Sequence, residues 1–90
     1  MKKYVTKEEY KQVLAQVVES CFLKCSEVVA SPFMLQFVDS EGYSMMSLTL
    51  KDARIVLSAI EGTYCQSIRK RLAIELNNFI RAEESAVVVL

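Results

Sequence analysis

The stretch "PFMLQFVDSEGYSMMSLTL", residues 32–50, decides the fold class. Within it Phe33, Leu35 and Phe37 alternate with Met34, Gln36 and Val38, and Met46 and Leu48 alternate with Met45 and Ser47. A period of two is that of a half-buried strand, so two strands are predicted. Asp39-Ser40-Glu41-Gly42 joins them, with aspartate at the first turn position and a glycine able to take positive φ. That combination predicts a hairpin. An isolated hairpin is marginal in water, so one of its faces must lie on the segments around it.

Those segments read as helices. Upstream, Thr6-Lys7-Glu8-Glu9 is a capping-box pattern, in which the threonine hydroxyl accepts from a first-turn amide and Glu9 reaches back to the threonine amide. From Tyr10 the apolar positions are Val13, Leu14, Val17, Val18, Cys21, Phe22, Cys25, Val28 and Val29. At about 100° per residue they cover roughly half the circumference, wider than the stripe of a surface helix, which predicts contacts on two sides. Pro32 is expected to end this helix by biasing Ser31 away from helical angles.

Downstream, Thr49-Leu50-Lys51-Asp52 is a second capping signal, and a helix apolar on most sides runs from there to Gly62, as befits a central element. A third helix is expected from about Thr63 to Ala82 or Glu83. The closing "SAVVVL" is rich in β-branched residues and favours a short C-terminal strand over continued helix. The expected fold is therefore α+β: a long N-terminal helix, a β-hairpin, two helices packed as a hairpin, and that short strand, all in a single domain over residues 1–90.

Residues 61–81, "EGTYCQSIRKRLAIELNNFIR", resemble the turn and second helix of a helix-turn-helix unit. Leu57, Ser58 and Ile68 suit that pattern. Glu61, Thr63 and Arg71 fall where such units bury apolar side chains, so half the fingerprint fails. On a helical wheel Cys65, Ile68, Leu76 and Phe79 gather around Leu72 in one seam, the pattern of near-antiparallel packing. Arg69 lies at the edge of that seam, placed to snorkel over the core. The opposite face carries Ser67, Lys70, Arg71, Asn77, Asn78 and Arg81, with Ile74 near its middle. An exposed isoleucine is common on any surface. Ringed by arginine and asparagine, it also has the anatomy of a small protein-binding patch.

Composition narrows the chemistry. Ninety residues bury only about 60–65% of the unfolded surface, so the core is small. With 52% hydrophobic residues, two Gly and one Pro, the chain has apolar surface to spare for a partner. Eleven basic residues balance eleven acidic ones, leaving no net field to hold a polyanion, so nucleic acid is not the expected partner. Histidine is absent, which removes the commonest general base and the usual activator of a cysteine nucleophile. Gly42 and Gly62 are isolated, so no Gly-rich phosphate loop exists. Three cysteines without histidine make a poor zinc set and read as small apolar residues, reduced in a cytoplasmic protein. The lysines of "MKKYV" precede Thr6 to Glu9, where a signal peptide would be apolar, and no run approaches the ~20 apolar residues of a membrane span.

These readings converge on a small cytoplasmic protein-binding regulator, such as an inhibitor, adaptor or immunity or antitoxin-like protein. It would be non-catalytic, without cofactor or metal, and would bind an acidic protein surface through Lys70, Arg71, Ile74, Asn77, Asn78 and Arg81. A homodimer is expected, with Val87, Val88, Val89 and Leu90 as the pairing segment. The alternatives are a DNA-binding regulator using helix 63–82 and a small-molecule binding module walled by Met34, Met45, Met46 and the phenylalanines.

Overall fold

The computed structural model describes residues 6–62 and 67–88, with side-chain surroundings as far as Ser85. Its elements are α1 (Lys7–Lys24), β1 (Glu27–Ser31), β2 (Met34–Val38), β3 (Ser44–Leu48), α2 (Leu50–Ile60) and α3 (Ser67–Val88). The architecture is α+β, with a long N-terminal helix, an antiparallel sheet, and then two helices.

Both halves of the expected capping box close at the start of α1. The Glu9 amide donates to the Thr6 hydroxyl and the Thr6 amide to the Glu9 carboxylate, each at 3.0 Å. The helix does not continue to Pro32. It stops at Lys24, Cys25 turns extended (φ −74°, ψ 156°), and Glu27–Ser31 forms a strand. Val28 and Val29 fit either period, and as β-branched residues they gain from a pleated surface. Five register pairs with β2, from Glu27 opposite Val38 to Ser31 opposite Met34, settle the matter. Pro32 instead opens a two-residue turn, for which its fixed φ is suited, and Phe33 completes it at φ 74°.

The hairpin thus becomes a three-stranded meander in the order β1-β2-β3. The expected turn at residues 39–42 is present. Asp39 Oδ1 accepts from the amides of Glu41 (2.9 Å) and Tyr43 (3.0 Å), and Gly42 takes φ 91°. A bulge follows, because Phe37 pairs with Met46 and Val38 with Ser44, leaving Met45 over.

The inner face of the sheet buries Leu35, Phe37 and Leu48. They meet Ala15, Val18 and Phe22 of α1, Ala53, Val56 and Ile60 of α2, and Leu72, Ala73, Leu76, Phe79 and Ile80 of α3. Phe22 and Phe37 stack tilted, with centroids 5.8 Å apart. As expected, α2 is central: it packs on both other helices and touches β2 and β3. Its Thr49 cap accepts from the Asp52 amide (3.2 Å), and Gly62 just beyond its end takes φ 81°, the left-handed conformation that reverses the chain.

α2 and α3 form the expected helical hairpin, with Arg54 paired to Glu84 near the far end of α3. Among the described residues the expected C-terminal strand is not formed: α3 runs on through Val88, so Val87 and Val88 are helical. Extending an existing helix adds one hydrogen bond per residue fixed, and valine costs only about 0.7 kcal/mol or less against that gain. Val89 and Leu90, and the expected helix start at Thr63 with Cys65 of the seam, lie outside the described residues. Among the described residues no helix is long and apolar enough to cross a membrane.

Candidate protein-binding surfaces

The seam of α3 forms where the wheel places it. Leu72 and Leu76 are fully buried, Phe79 nearly so, and Ile68 packs at the margin. The opposite face is therefore solvent-facing: Ser67, Lys70, Arg71, Ile74, Asn77, Asn78 and Arg81 are all exposed, and Ile74 leaves 58% of its surface in water.

The cations of α3 do not all serve that face. Arg69 does not merely snorkel; it forms an ion pair with Glu19 of α1, and its Nη2 donates to Glu19 Oε1 at 3.4 Å. Both side chains are largely covered, so this clasp joins the first and last helices in a partly desolvated setting. Arg71 leans toward α1, its guanidinium carbon 5.5 Å from the centroid of the Phe22 ring. Lys70 and Arg81 are left flanking Ile74.

Cys25 borders a small hollow with Phe22, Arg71 and Glu75. Its thiol donates to the Phe22 carbonyl at 3.2 Å, and burial pushes it up from its ordinary pKa, which favours the neutral thiol. Cys21 and Cys25 are both unpaired and both pack against the core. Among the described residues no group of histidine, cysteine and carboxylate side chains could hold a metal ion.

The broad apolar face of α1 was expected to offer surface beyond the core, whereas a groove beside it and an exposed aromatic on the sheet were missed from sequence. On α1, Tyr10, Val13 and Val17 are 47%, 56% and 45% exposed, so half of the broad apolar arc faces water. Their three-four spacing was the available signal. At the N-terminal end of α1, a groove of about 470 Å³ opens between Tyr10 and Ile55, edged by Lys7, Glu8, Lys11 and Lys51. On the sheet, Phe33 at the β1–β2 turn is 77% exposed in a left-handed conformation, which nothing in the periodicity announces.

No protein family matches this chain, and no curated protein or solved structure matches it either.

Proposed function

We propose that this protein is a small non-catalytic protein-binding regulator, working in the reducing cytoplasm and engaging its partner through the outer face of α3. The observation that carries this reading is Ile74. It stands 58% exposed at the centre of a polar face, on a helix whose core contacts, among the described residues, lie on the other side. Burying such a side chain in a partner is worth roughly 1.5–3 kcal/mol, or about one to two decades of affinity. Asn77 and Asn78 supply the hydrogen-bonding rim, and Lys70 and Arg81 favour an acidic partner surface and faster association. A nucleic-acid reading gains less support, because Arg69 is spent on Glu19 and Arg71 lies against Phe22.

The test compares affinity purification from the native host with the wild-type chain and with Ile74→Asp. The partner is expected to be lost from the variant, with the melting temperature nearly unchanged, since an exposed substitution shifts stability by no more than about 0.5 kcal/mol. Equal capture by both chains would retire the site. Recovery of one enriched motif from a random DNA pool, lost in Arg71→Ala, would replace this reading with DNA recognition.

A further inference from the structure

We infer that α1 is a dimerisation helix, packing antiparallel against α1 of a second copy of this chain. This interface is separate from the face of α3 discussed above and does not depend on it.

Thr6, Tyr10, Val13, Val17, Ser20 and Lys24 follow one another at spacings of four, three, four, three and four, and every one of them is exposed. At 100° per residue they fall within an arc of roughly 80°, which is the seam of a coiled coil. At Tyr10 the seam adjoins Leu14 and Cys21, which pack on the core, whereas Val13 and Ser20 lie farthest from it. Ala15, Val18 and Phe22, the buried residues of α1, lie roughly 150° around the helix from the centre of the seam. Three apolar side chains, Tyr10, Val13 and Val17, thus stand in line half-exposed on α1.

The sizes and charges along the seam fit it to a second copy. Read from either end the order of the spacings is the same, so a two-fold axis across the helix at the level of residue 15 lays the seam on itself, as an isologous contact requires. Val13 then meets Val17 of the other copy, the bulky Tyr10 meets the small Ser20, and Lys24 lies over the opposing first turn. That turn carries Glu9, on the flank of the seam. One Glu9 carboxylate oxygen is held by the Thr6 amide, and the residue is exposed to the incoming lysine. Large faces small, and positive faces negative, at both ends at once. The antiparallel arrangement also sets the two helix dipoles head to tail.

Sedimentation velocity at tens of micromolar should show the wild-type chain, 10.2 kDa, as a dimer. Val17→Asp should be monomeric with unchanged far-ultraviolet circular dichroism. The register is tested by Glu9→Lys and Lys24→Glu. Each variant alone opposes like charges at both ends and should dissociate at least tenfold more readily than wild type. Mixed, the two should restore the dimer as a heterodimer, because every 9-to-24 contact then joins opposite charges. A wild-type monomer, a Val17→Asp variant that still dimerises, or a mixture no tighter than its components would each overturn the inference.

Discussion

α1 and α3 flank α2, and both turn one side to water, yet they divide their apolar residues in opposite ways. On α3 the bulky side chains Leu72, Leu76, Phe79 and Ile80 go inward, and a single isoleucine is left outside among polar neighbours. On α1 two of the three buried residues are small, Ala15 and Val18, with only Phe22 bulky, whereas Tyr10, Val13 and Val17 are turned to water. A narrow seam identifies its own inside. A broad arc does not, because only packing decides which half of it the domain can cover.

The comparison breaks most decisively at the core. Leu76→Ala should cost about 2–5 kcal/mol, read as a lower urea midpoint, because the fully buried leucine leaves a cavity. Val13→Ala on the outer face of α1, measured at a concentration low enough to keep the chain monomeric, should shift stability by no more than about 0.5 kcal/mol. Similar costs for the two would mean that the α1 face is covered within one chain.

A smaller effect tests the link between the two helices. Glu19→Gln should destabilise by about 1–3 kcal/mol, since it removes the carboxylate charge from a largely covered ion pair. Glu19→Leu combined with Arg69→Met should regain much of that loss. Arg54→Ala, which breaks a half-exposed pair, should cost no more than about 1 kcal/mol.

The smallest effect lies outside both helices, at the most exposed aromatic. Phe33→Gly should raise stability by up to about 1 kcal/mol in thermal melts, as relief of the left-handed strain exceeds the entropy glycine adds to the unfolded chain. A loss of stability instead would show that the Phe33 ring packs on its neighbours.

The same contrast explains what could be read in advance. Helix starts were legible, because Thr6 with Glu9 and Thr49 with Asp52 are local hydrogen-bond arrangements written in adjacent residues. The seam and outer face of α3 were legible because polar and apolar residues separate cleanly around it. β1 was not, since Val28 and Val29 extend the apolar pattern of α1 as well as they fill a strand. Only the distant pairing with β2 chooses between the two. At the C-terminus the error ran the other way: a β-branched run was read by its propensity, whereas α3 simply continued into it.

The meander also bears on how quickly and in what order the chain folds. Each strand pairs only with its neighbour in sequence, across turns that close short loops, and α3 follows directly on α2. Such local contacts form early, at little cost in loop entropy. α1 is the exception: it is synthesised first, but the elements it packs on, β3, α2 and α3, come last. Docking of α1, closed by the Glu19–Arg69 clasp, is thus the long-range step of folding. In a kinetic experiment Glu19→Gln should accordingly speed unfolding far more than it slows refolding.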